Sequence, residues 1–175
     1  MQSHAKFVCA ALLSYFWTFQ LAADDNVNAE IQVPITVSVQ AKELSVSQDQ
    51  AIAAAADVMY RYMHTFNAQD PVRWADTMLF PHIRVSSGRV VVHTSKQEFV
   101  QQMDFAAFAR RNNWQRSAWD HIDVVQAGTN KVHMAVQFTR YDAQQQPIAS
   151  FESLYVLQKD NAGRWGIRAR SSFAP

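Results

Sequence analysis

Cysteine is almost absent: Cys9 is the only one in 175 residues, so no intrachain disulfide can form and no thiolate cluster can hold a metal. Glycine and proline are scarce too, at four and five residues, which argues against a disordered or low-complexity chain. Charge of one sign is missing. The formal net charge is +1, and without Lys6 the 16 basic residues become 15, equal to the 15 acidic ones. A neutral body has no electrostatic footprint for nucleic acid, so no nucleic-acid partner is expected. No uninterrupted apolar run is long enough for a membrane span. What the chain has instead is bulk: 11 Phe, 5 Trp, 5 Tyr and 6 Met, enough for one well-filled core at this length.

The head, MQSHAKFVCAALLSYFWTFQLAA, places Lys6 before an apolar stretch and then Asp24-Asp25. It reads as a secretory signal peptide over residues 1–23, cleaved near Ala22 or Ala23. The alternative, an uncleaved anchor, suffers from Ser14, Thr18 and Gln20 within the stretch. The expectation is therefore an exported protein, periplasmic or secreted, with no membrane contact after cleavage.

Residues 24–46 form an N-terminal extension. Within it IQVPITVSVQ alternates apolar and polar, a half-buried strand that Pro34 confines to a sheet edge. The main domain is expected over 47–175. Ser47 and Gln50 fit a capping box before a helix from about Gln48 to Asn67, whose stripe includes Ile52, Ala55, Met59, Met63 and Phe66. Pro71 opens a second helix, PVRWADTMLF, with Val72, Ala75, Met78 and Leu79 as its buried side. HIRVSSGRVVVH reads as a hairpin turning at Ser-Ser-Gly. Ser95 and Glu98 then introduce a third helix, KQEFVQQMDFAAFARR, ending in the dipole-complementing pair Arg110-Arg111. Four long strands close the chain, separated by turns near Gly128, Gln144–Gln146 and Asp160–Gly163. Helices first and an antiparallel meander after them make an α+β domain.

The order of elements, the segment RYMHTFNAQDPVRWADTMLF and the closing strands FESLYVLQKDNAGRWGIRARSSF resemble the nuclear transport factor 2-like superfamily, in its SnoaL-like and ketosteroid-isomerase-like branches, over roughly residues 48–173. The resemblance implies a cone-shaped roll: a curved antiparallel sheet wrapped around three N-terminal helices, with an apolar cavity open at one end. In the isomerase branch a helix tyrosine and a protonated acid hold an oxyanion while a carboxylate moves the proton. The tyrosine matches Tyr62. The base falls near Ser87, where a hydroxyl cannot accept a proton at neutral pH without help. The oxyanion acid falls near Glu152, whose face depends on a one-residue register. Ketosteroid isomerisation is not expected.

The candidate pocket residues are Tyr62, Ser87, Phe138, Arg140, Glu152 and Trp165. Strand alternation puts Ser87 and His82 on opposite faces; with Ser87 inward, as the resemblance implies, His82 is expected outward, at a surface or interface. Arg140 ends the apolar row Val132, Met134, Val136 and Phe138; it can take a ligand carboxylate or pair with Glu152 or Asp142. Asp120 and Asp123 are further carboxylates on opposite strand faces. Trp165, Ile167, Ala169 and Ser171 are expected inward on the last strand. Arg164, Arg168 and Arg170 then face outward, a surface suited to homodimer pairing. His93, His121 and His133 lack metal-ligand spacing, so neither metal nor cofactor is expected. The expected function is binding of a small, largely apolar molecule, with isomerase-, cyclase- or hydrolase-type chemistry open. The alternative is a non-catalytic interaction module whose cavity is filled by Met59, Met63, Phe66, Phe99, Met103, Phe108, Phe138 and Trp165.

Overall fold

In the computed structural model, residues 34–37 and 45–174 are described. The signal-peptide expectation, most of the N-terminal extension and the outer parts of its strand lie outside the described residues. The chain divides into two units, Met1–Glu30 and Ile31–Pro175, and it is the second that folds as follows.

The long helix α1 spans Val46–Asn67. It starts at Ser45 rather than Ser47, because Gln48 closes the box: its Oε1 accepts from the Ser45 backbone N–H at 2.9 Å. Ala51, Ala55, Val58, Met59, Tyr62 and Met63 recur every three or four residues and form its buried stripe. Helix α2, Pro71–Asp76, has Pro71 in its first turn and Asp70 as N-cap, accepting from Val72 and Arg73 N–H groups. It is shorter than the sequence suggests. Met78–Phe80 already belong to strand β2, Met78–Ser86, and the buried residues of α2 are Trp74 and Ala75, while Val72 is exposed.

Strand β2 turns at Ser87-Gly88 into β3, Arg89–His93, with Ser86 opposite Arg89. The expected third helix is two. Ser95 caps α3, Lys96–Gln102, and Asp104 caps α4, Phe105–Asn112, through Ala107 N–H at 2.8 Å. Met103 between them is extended, at φ −91° and ψ 112°. An N-capping aspartate inside an apolar stripe competes with helix continuation and wins here.

Strands β4 (Arg116–Ala127), β5 (Lys131–Tyr141), β6 (Pro147–Lys159) and β7 (Trp165–Ser172) form the meander. With β1, Ile35–Val37, they make one seven-stranded sheet in the order β1-β4-β5-β6-β7-β2-β3. β1 sits at the edge, as Pro34 beside it requires. The α+β roll stands as expected. It has four helices among the described residues, and its curved, unclosed sheet is mixed: β1 pairs parallel with β4, and β2 with β7. Those two pairings join segments about 85 residues apart, beyond the reach of any local pattern.

Candidate functional site

The site is built where the end of α1 meets the inner face of the sheet. Asn67 fixes that meeting. Its side-chain amide donates to the Ser117 carbonyl and accepts from the Ser117 N–H, both at 2.8 Å, so one side chain imitates a β-bridge to β4. One turn back, Tyr62 lies among Trp74, Trp119 and Tyr155, with ring centroids 5.4, 6.3 and 5.7 Å away. Its hydroxyl accepts a hydrogen bond from the Arg170 guanidinium. The buried phenol is thus satisfied by a cation and by the hydroxyl of Tyr155 beside it.

Around Tyr62 opens a cavity of about 420 Å³. Met63, Phe66, Trp74, Met103, Phe108, Trp119 and Phe138 supply apolar wall. Arg84, Arg140, Arg170, Tyr155, Ser117 and Ser172 supply polar atoms, and the exposed Arg89 and Arg111 stand at the rim. Of the residues expected to fill the interior, Met63, Phe66, Met103, Phe108 and Phe138 line this hollow instead of closing it. Among the described residues no aspartate, glutamate or histidine lines it.

The structure brings together Tyr62, Phe138 and Arg140 and separates the other three candidates. Ser87 is exposed in the β2–β3 turn, its hydroxyl 3.5 Å from the Phe173 carbonyl. The inward face of β2 is the other one, carrying His82, Arg84 and Ser86. The sequence misleads here because Ile83 and Val85 look like core residues. They point outward, opposite Val92 and Val90, with 37% and 41% of their surface exposed. Glu152 also faces out: its neighbours Ser153 and Tyr155 are the buried ones, and it borders a shallow outer hollow with His121 and Leu154. Trp165 packs at the core's margin, away from the cavity lining.

His82 corrects a further expectation. It is 1% exposed, its Nδ1 lies 3.1 Å from the Ile167 carbonyl, and its ring stacks on His93 at 6.3 Å. Burial, then the positive charge of Arg170, lowers its pKa to about 3, so it is neutral at physiological pH.

Arg170 is the site residue that strand alternation hides. A β-bulge at Arg168 shifts the β6–β7 register, so Leu157 faces Ile167 but Val156 faces Ala169. One extra residue reverses the phase of everything after it. Ile167 points inward, Arg168 reaches aside to Gln158 Oε1 and the Pro81 carbonyl, and Arg170 then points into the cavity rather than out of the sheet. Its guanidinium also lies 5.9 Å from the Trp74 ring centre. Burial alone would lower its pKa most, but contacts with the Tyr62 and Tyr155 phenols together outweigh burial and raise it.

Arg140 has neither of its expected carboxylate partners. It is 7% exposed, and its guanidinium sits over Phe151, Phe108 and Phe138 at 4.8, 5.1 and 5.9 Å. Its Nε has no hydrogen-bond partner, and it makes no ion pair among the described residues. Asp142 is spent on its own turn, accepting from Gln144 and Gln146 N–H groups. Burial first, then Arg84 and Arg170, lowers the Arg140 pKa to about 10. Asp120 faces away, accepting from Thr139 Oγ1 at 2.7 Å.

Known proteins share this fold. Residues 53–172 match the family model described as NTF2-like protein (DUF6841). The chain belongs to this NTF2-like family. No curated protein matches it. Three solved structures share the NTF2-like fold at low identity. A Catenulispora acidiphila protein in complex with S-DNPA is 17% identical over 72% of this chain and 94% of its own, with a TM-score of 0.57. A Nostoc punctiforme protein of unknown function with a cystatin-like fold is 15% identical over 75% and 94%, TM-score 0.57. A ketosteroid isomerase-like protein from Erwinia carotovora atroseptica is 19% identical over 73% and 99%, TM-score 0.53. For an NTF2-like protein, a hollow between α1 and the sheet's inner face is the place to look for a ligand. No helix among the described residues is long and apolar enough to cross a membrane, and no group of three metal-ligating side chains occurs among them.

Proposed function

We propose that this NTF2-like protein is an exported binder of a small, largely apolar molecule, held in the cavity beside Tyr62. The observation that carries the reading is the open hollow of about 420 Å³, aromatic in its walls and furnished with a few convergent polar groups. That size and lining are typical of ligand pockets. A packed interior would have favoured the interaction-module alternative. The Catenulispora acidiphila relative, captured with S-DNPA, supports a similar use of the fold here.

Binding is favoured over proton-transfer catalysis. Tyr62 and the guanidinium groups are donors, yet the lining among the described residues offers no carboxylate or imidazole as base. His82, the buried imidazole on the inward face of β2, lies outside the lining.

Pairing of two copies through the outer sheet face belongs to the same proposal. Val92 beside Ile83 and Val90 beside Val85 form an exposed apolar patch across β3 and β2, and Leu154 on β6 extends the row past Ser171. Exposed apolar surface of this kind marks interaction sites. Native mass spectrometry of protein purified from its own host tests all three parts. The expected result is a dimer of chains processed near Ala22 or Ala23, carrying a small organic adduct released on activation. Bare chains at the gentlest activation contradict the ligand reading, monomers the pairing, and full-length mass the export.

A further inference from the structure

The cavity's charge is more informative than its shape. Three arginines from three strands, Arg84 on β2, Arg140 on β5 and Arg170 on β7, converge on one hollow with no carboxylate in its lining among the described residues. Arg84 and Arg170 are direct partners in the parallel β2–β7 ladder, so two like charges stand side by side on one face. Like charges so placed repel. Arg140 is a buried cation without an anion, its lost hydration uncompensated: it is nine-tenths buried, boxed by three rings, with Nε unpartnered and no ion pair among the described residues. Ring faces attract a cation but offer its N–H groups no lone pair in the guanidinium plane.

We propose that the missing partner is supplied by the ligand, and that the site takes an amphipathic organic acid. Its carboxylate is held by the inward arginines with the Tyr62 hydroxyl as a further donor, and its apolar body lies against Phe108, Phe138 and Trp119. This rests on the cavity-binding reading and specifies its ligand class. Planar guanidinium groups match a carboxylate two bonds at a time, in a geometry lysine does not offer. Arg89 and Arg111 at the exposed rim add a field that draws an anion toward the opening. The depressed Arg140 pKa agrees with the geometry, because the two other inward arginines contribute to it and an anion between them reverses that effect.

The test uses the purified protein with 2-naphthoate and 3-phenylpropionate, each compared with its uncharged primary amide by isothermal titration calorimetry. The wild type is expected to bind the acids at least tenfold more tightly than the amides. In Arg140→Met that preference shrinks by at least fivefold, while the ligand-free variant melts at a temperature equal to or above the wild type. A stability gain is the signature of removing an unpaired buried charge; an arginine with a purely structural role gives a loss. Equal binding of acid and amide by the wild type overturns the inference and leaves cavity binding standing. Binding of neither overturns both. The wild-type comparison needs no variant, so it decides the matter even if Arg140→Met does not fold.

Discussion

His82 keeps its imidazole neutral because burial makes the charged form expensive and Arg170 adds repulsion. In the unfolded chain the same ring has an ordinary pKa near 6.5. Between that value and the folded value of about 3, the unfolded state binds a proton that the folded state refuses. Stability is therefore fully present above pH 6.5 and is lost as pH falls below it, by up to ~1.4 kcal/mol per pH unit. His93, whose pKa is also lowered chiefly by burial, acts in the same direction. Urea unfolding of wild type and His82→Asn between pH 7 and 4.5 checks this. The asparagine keeps a donor for the Ile167 carbonyl and cannot titrate, so its stability should fall less steeply with acid; parallel curves contradict the assignment. At this scale the sequence was half legible. Tyr62 and Arg140 could be found, one from the end of an apolar helix stripe and one from the end of an apolar strand row. His82 and Arg84 could not, because Ile83 and Val85 occupy the alternate positions and imitate a core face while lying on the outside.

Elements were legible where their own residues decide them. The helix of Tyr62, the Ser-Ser-Gly hairpin and the four closing strands follow from periodicity and turn chemistry. The division of the third helix had a signal in Asp104, an N-cap residue, but the apolar stripe around it masks the break. Strand β7 was illegible past its midpoint, since nothing in RWGIRARSSF announces the bulge that turns Arg170 inward. Just before that bulge, Gly166 passes tightly over the start of β2. A Cβ there would lie 3.0 Å from Leu79 Cγ and 3.2 Å from both the Met78 carbonyl carbon and the Thr77 oxygen. Two of the three neighbours are backbone and cannot rotate away. Gly166→Ala is therefore expected to destabilise the fold by about 1–3 kcal/mol, the usual cost of overpacking. Thermal unfolding measures it, and an unchanged midpoint would mean that β2 and β7 are not crossed this closely.

For the whole molecule, the family and the α+β roll could be reached from the sequence, whereas the character of its hollow could not. An aromatic-rich chain with balanced charge suggests a neutral, apolar interior. Folding gathers its arginines unevenly: carboxylates serve caps, turns and surface pairs such as Arg61–Asp57 and Lys96–Asp76, and the inner face of the sheet is left cationic. Parallel pairing of β2 with β7 is the step that does this, because it sets Arg84 beside Arg170 across some 85 residues of chain. A site assembled from register and long-range pairing has no sequence motif to betray it. The most direct measurement is a crystal structure of the protein grown with 2-naphthoate. The account predicts the naphthalene rings between Phe138 and Phe108, with a carboxylate oxygen about 3 Å from an Arg140 or Arg170 nitrogen. A hollow closed by Met103 and Phe108 side chains, with the acid bound elsewhere or not at all, would contradict it.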